Sequence, residues 1–172
     1  MKNCFGILIG TFFLLSCGNK TPNATTVSTA QNDTLALLTK ISSTDSLLFI
    51  AYNSLENSEL PTELLNQAIE LNMEFTNKYP EHSYAPEALD KVHQLYVQLG
   101  NYHFSTDYGM MLIEKYPDYK RINPVMYSVA TSYDFMLDTP NKAIPLYKAL
   151  LQKDISENTR NEINGRLKNL GQ

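Results

Sequence analysis

One phrase written twice constrains this chain more than anything else in it. Lys-Tyr-Pro followed by an acid occurs at Lys78 to Glu81 and again at Lys115 to Asp118, 37 residues apart. An eroded third copy, Gln152-Lys153-Asp154-Ile155-Ser156, follows at nearly the same interval. Pro lacks a backbone N–H and clashes with the preceding turn, so each copy reads as the end of a helix. A period of 37 holds one helix–turn–helix unit, and a single unit of that kind cannot bury its apolar face alone. Neighbouring units must stack, with a core that runs along the stack.

The rest of the pattern agrees. From Asp33 onward apolar residues recur at helical spacing, with no alternating strand. Leu47, Ile50, Ala51, Ser54 and Leu55 share one face, and Leu64, Ala68, Leu71 and Phe75 share another. Ala85-Pro86, Asn123-Pro124 and Thr139-Pro140 place Pro at helix starts, where its missing N–H costs nothing. Gly100 ends a helix. The expected fold is all-α.

Residue by residue, these units resemble the tetratricopeptide repeat. The middle unit reads Leu89, Val92-His93 and Tyr96, then Ser105, Gly109, Leu112 and Pro117. The next reads Met126, Val129-Ala130 and Tyr133, then Ala143, Tyr147 and Leu150, with Ile155 in the Pro position and one extra residue in its internal turn. The earlier unit offers Leu47, Ile50-Ala51 and Ser54, then Ala68, Asn72, Phe75 and Pro80. The resemblance implies a short α-solenoid of about three helical hairpins over residues 33–172, closed by a capping helix in which Ile163, Leu167 and Leu170 face inward. His93 stands where the family has a small residue, and Gly109 where it has an aromatic. Dense interiors require such departures to compensate, so His93 is expected to lie over Gly109.

The N-terminus speaks to location. Lys2 precedes an apolar run from Phe5 to Leu15, too short for a bilayer, which needs about 20 residues. It reads as a cleaved signal. Leu14-Leu15-Ser16-Cys17 resembles the lipobox of bacterial lipoproteins, which implies cleavage after residue 16 and a lipid on Cys17. An ordinary signal peptide followed by a free thiol is the alternative. Cys4 leaves with the signal, so the mature chain holds one cysteine and no disulfide framework. Gly18 in place of aspartate implies the outer membrane, and the periplasmic face is expected. Residues 17–32, without an aromatic and rich in Thr, Asn, Ser and Ala, read as a flexible tether.

Loss of residues 1–16 leaves 156 residues with 13 basic and 18 acidic side chains. That balance argues against nucleic acid, whose binding needs clustered Lys and Arg. His82, His93 and His103 are the evident candidates for metal binding or catalysis, but no HExxH and no helically spaced His pair exists. Packing and solvated roles are the blander reading. No nucleophile elbow, phosphate loop or dinucleotide fingerprint occurs. Neither enzymatic activity nor a cofactor or metal is expected. Met110-Met111 and the tyrosines at 96, 108, 133 and 147 fit core filling at helical spacing.

The resemblance implies a partner groove lined by first helices. Its exposed positions map to Asp45, Leu48, Tyr52 and Leu55, to Glu87, Asp90, Gln94 and Val97, and to Pro124, Tyr127, Thr131 and Asp134. Of these, Tyr52, Glu87, Asp90, Gln94, Tyr127, Thr131 and Asp134 are the candidate binding residues. The twelve include four acids and no Lys or Arg, which favours a basic or amphipathic segment as partner. Solubility alone is the competing reason for the charges. The functional expectation is a non-enzymatic protein–protein interaction scaffold. The alternative is an accessory subunit of an outer-membrane protein assembly machine; capture of carbohydrate is a weaker third.

Overall fold

The computed structural model describes residues 24–54 and 61–172. They form seven α-helices: α1 (Ala24–Ser54), α2 (Thr62–Lys78), α3 (Ala85–Gln98), α4 (Tyr102–Lys115), α5 (Ile122–Thr131), α6 (Pro140–Leu150) and α7 (Glu157–Asn169). A π-helical turn, Ser132–Met136, extends α5. No strand occurs among the described residues, and each helix packs on the next.

The repeated phrase does what its chemistry requires. Tyr79 and Tyr116 cap α2 and α4 with nearly identical backbone angles, φ −132° and ψ 56° against φ −132° and ψ 59°. The following Pro pushes its predecessor out of the α region, which accounts for both conformations. The same hydrogen bonds then recur. His82 N–H donates to Tyr79 O and Ala85 N–H to His82 O, as Tyr119 N–H does to Tyr116 O and Ile122 N–H to Tyr119 O, all at 2.8–3.0 Å. Ile155 cannot impose this stop. At the third copy the cap, Leu151, stays helical (φ −62°, ψ −19°). The Arg160 guanidinium takes the free carbonyls, donating to Leu151 O at 2.7 Å and Lys153 O at 3.3 Å.

Gly100 closes α3 at φ 68°. Its N–H donates to Val97 O and that of Asn101 to Tyr96 O, a Schellman pair that satisfies carbonyls the helix leaves open. The extra residue of the third hairpin lies in α5 itself rather than in the turn. Tyr96 and Tyr133 are still 37 apart, but the positive-φ residue equivalent to Gly100 is Asp138 (φ 48°), 38 away. The surplus is absorbed by the π turn, in which Leu137 N–H reaches Ser132 O, a common home for a one-residue insertion.

The core runs along the chain in overlapping clusters, each drawn from three consecutive helices. Leu48, Leu65, Ala68, Val92 and Leu95 join α1 to α3. Leu89, Leu112, Val125 and Val129 join α3 to α5. Met126, Ala143, Tyr147, Leu150, Ile163 and Leu167 join α5 to α7.

Two further expectations need correction. The inward face of α1 is Leu37, Ile41, Thr44 and Leu48; Leu47, Ile50 and Ser54 face solvent. Leucine and isoleucine occur on every side of this helix, so periodicity alone does not select the face. Second, α1 begins at Ala24, so positions 24–32 of the expected tether are helical. After Pro22 that stretch holds neither Pro nor Gly, and extending a formed helix adds one bond per residue fixed. Within it Gln31 and Asn32 are exposed. The signal (1–16), Cys17, the remainder of the tether to residue 23, and Leu55 lie outside the described residues.

Candidate functional site on the odd-numbered helices

Side-chain bonds tie each odd-numbered helix to the next. Lys91 of α3 pairs with Asp45 of α1, and Tyr52 O–H donates to Gln98 Oε1 at 2.5 Å. His93 of α3 reaches Ser128 of α5, and Arg166 of α7 reaches Asp134 at the end of α5. Three of the expected groove positions, Asp45, Tyr52 and Asp134, take part in these ties.

Their charges do not stand free. Asp45 pairs with Lys91 and Glu87 lies 3.9 Å from Lys120. Asp90, 2% exposed, accepts from Tyr119 O–H at 3.0 Å and Gln94 Nε2 at 2.7 Å, with the Arg121 guanidinium 3.5 Å away. Asp134, 4% exposed, takes a two-pronged bond from Arg166, Nε to Oδ2 at 2.5 Å and Nη2 to Oδ1 at 2.6 Å, plus Tyr147 O–H at 3.2 Å. Burial first, then the adjacent carboxylates, hold the Tyr119 and Tyr147 phenols well above their ordinary range.

Asp90 and Asp134 are thus buried fasteners between helices, not presented contacts. Leu48 is buried as well, and the Thr131 hydroxyl donates back to the carbonyls of Tyr127 and Ser128. Of the seven candidate binding residues, Tyr52, Glu87, Gln94, Tyr127 and Thr131 retain part of their surface for a partner, Thr131 with its hydroxyl already committed to its own helix. Lys120, Arg121 and Arg166 were missed because they lie outside the first-helix positions and 31 to 33 residues from the acids they meet.

Tyr127 is the best-placed of the five. It stands between two clefts, forming a wall of each. One, about 340 Å³, is lined by Phe135, Glu162, Ile163, Gly165, Arg166 and Asn169. The other, about 430 Å³, is lined by Asn123, Pro124, Leu150, Ile155, Ser156 and Thr159. Burial, then the Glu162 carboxylate beside it, pushes the Tyr127 phenol up to about 12, so it remains a neutral donor at physiological pH. The π turn leaves Phe135 exposed, and the Arg166 guanidinium lies 4.6 Å above its ring. Aromatic and arginine side chains at a cleft are the usual anchors of protein recognition.

His93 is built into the core. Its Nδ1 lies 2.8 Å from Ser105 O, which can only accept, so Nδ1 carries the proton; Nε2 then accepts from Ser128 O–H at 2.9 Å. Burial depresses its protonation, against the opposing pull of the Ser105 carbonyl and Asp90. The Ser128–His93 pair has the order of a nucleophile and base, but His93 is 1% exposed and Ser128 sits within a helix whose N–H groups are committed to the ladder. As expected, His93 lies over Gly109: a Cβ added there would meet His93 Nδ1 at 2.9 Å and Val129 Cγ2 at 2.3 Å. Among the described residues no group of three or more His, Cys, Asp or Glu is placed to hold a metal.

No protein-family model matches the chain, and no curated protein matches it significantly.

Proposed function

We propose that this chain is a short tetratricopeptide-like array, anchored by lipid on Cys17 to the periplasmic face of a bacterial outer membrane, that serves as a scaffold for another protein. The observation that carries this reading is the pair of clefts on either side of Tyr127, built where α5, α6 and α7 meet. The recurrence of the Tyr79 and Tyr116 turns supports the array. Since the acids of this face are paired, the seat offers ring faces and cleft volume more than free charge, which favours an amphipathic segment with an apolar anchor. Anchoring and recognition are separate properties in this reading. A Cys17→Ala variant should therefore be recovered from the soluble periplasmic fraction while still co-purifying with the partner of the wild type. If it stays with the membrane, or loses that partner at equal abundance, the reading is wrong. Co-purification in fixed stoichiometry from detergent extracts would instead mark a subunit of an assembly machine.

A further inference from the structure

The two ends of the helix array are finished differently. At the C-terminal end α7 presents Glu157, Asn161, Glu162, Asn164 and Lys168 to solvent, the polar cap that a terminal element of a stack needs. At the N-terminal end α1 has no such cap. Five of the eight large hydrophobics exposed among the described residues lie on it: Leu35, Leu47, Phe49, Ile50 and Tyr52. Phe49 is 70% exposed, Leu35 64% and Ile50 60%.

At 3.6 residues per turn, Leu35, Phe49 and Ile50 fall on one side of α1 together with the uncharged polar residues Gln31, Asn32, Thr39, Ser42, Ser46 and Asn53, opposite Leu37, Ile41, Thr44 and Leu48. That outer side carries no charge. Between Gln31 and Ser54 the only charged side chains are Asp33, Lys40 and Asp45, and the last is paired across to Lys91. Gln31–Ser54 is long and apolar enough to cross a membrane. Its other side is nevertheless committed to α2 and α3 through Leu48, Leu65, Ile69 and Val92, so it can offer a bilayer only its outer face. Position 17 precedes Ala24 by seven residues, a span of at most about 25 Å when extended. An anchor at Cys17 therefore brings α1, before any other helix, to the lipid. An uncharged strip has nothing with which to select a charged protein partner, whereas apolar area alone suffices for an interface.

We infer that the outer face of α1 lies on the bilayer, seating Leu35, Phe49 and Ile50 among the lipids and turning the array's odd-helix face in a fixed direction. This rests on the proposed anchor at Cys17, and the test separates the two. The chain has no tryptophan, so Phe49→Trp and Phe135→Trp each report one site, both at solvent-facing positions. The acylated full-length mature protein is reconstituted into phosphatidylethanolamine–phosphatidylglycerol vesicles with brominated acyl chains. Tryptophan at 49 should shift to the blue and lose about half its emission or more, as expected of a face sunk roughly 5–10 Å into the acyl boundary. Tryptophan at 135 should be unaffected, and 1 M sodium chloride should change neither. Equal quenching at both sites, or none at 49, overturns the inference. So does a blue shift at 49 that needs no vesicles and grows with protein concentration, which would assign the face to a second copy. Mass spectrometry of the Cys17 peptide reads the anchor independently. If no acyl mass is found, the unlipidated chain is added to the same vesicles, and quenching at 49 alone still upholds the face while its absence refutes it.

Discussion

Gly109→Ala ought to stabilise an ordinary helix. Gly in a helix interior is worse than Ala by roughly 0.5–1 kcal/mol, and Gly109 has no positive φ to excuse it. Here the surroundings reverse the sign. The new Cβ would sit 2.3 Å from Val129 Cγ2 and 2.9 Å from His93 Nδ1, the first about 1 Å inside ordinary contact. Val129 and His93 are both fully buried, and His93 is pinned by Ser105 and Ser128, so neither can swing away. Overpacking of this kind costs about 1–3 kcal/mol. Set against the propensity gain, the net loss is about 1–2 kcal/mol, and each kcal/mol moves the midpoint of a chain this size by roughly 2–4 °C. Urea and thermal unfolding should show the drop with an unchanged m-value. The double variant Gly109→Ala/Val129→Ala removes the worst contact, and should be more stable than the sum of the single effects by about 1 kcal/mol. A Gly109→Ala protein at least as stable as the parent, or a double variant additive within about 0.3–0.5 kcal/mol, would refute the argument that His93 and Val129 fill the space of the missing side chain.

Three further outcomes follow from the same geometry. Because burial holds His93 neutral in the fold, the unfolded chain binds the extra proton, and stability should fall as pH drops below about 6.5, by up to roughly 1.4 kcal/mol per unit; His93→Gln should flatten that limb of a midpoint-against-pH curve, and an unflattened limb would assign the loss to other groups. Arg166→Met should lower the midpoint by stranding the Asp134 carboxylate, and Asp134→Asn added to it should recover most of the loss, since it is the unpaired buried charge that destabilises; no recovery in differential scanning calorimetry would contradict this. Gly100→Ala should cost about 1–2 kcal/mol in urea titration from its left-handed backbone alone, because nothing lies within 4 Å of the added carbon; an unchanged midpoint would show that the turn can relax.

The parts of the fold that could be read from the chain are those written in local chemistry. Pro80 and Pro117 dictate the shape of the residues before them, and Gly100 supplies the only left-handed stop α3 needs, so the repeat and its turns follow from the letters. His93 and Gly109 could be matched because a repeat puts their slots in register. The face of α1 could not, since Leu35, Leu37, Leu38, Ile41, Leu47, Leu48 and Ile50 surround the helix, and only α2 and α3 select Leu37, Ile41 and Leu48 from among them. The surplus residue of the third hairpin shows as a count, but its place in the π turn, which packs against α4 and α6, does not. The candidate face was half legible. Its helices follow from the repeat, whereas the neutralisation of Asp90 and Asp134 depends on Arg121 and Arg166, brought in from distant elements at no signalled spacing. Phe135 gained its exposure from the same π turn.

The measurement closest to the central claim places a photo-crosslinking amino acid at position 127 in the full-length protein within living cells, and the same group at Gln67, an exposed position on α2, as the control. The account predicts one discrete protein adduct at 127, diminished by Phe135→Asp at unchanged bait abundance, and none at 67. Adducts of the same identity and yield at both positions, or no protein adduct at 127, would contradict a recognition face centred on Tyr127.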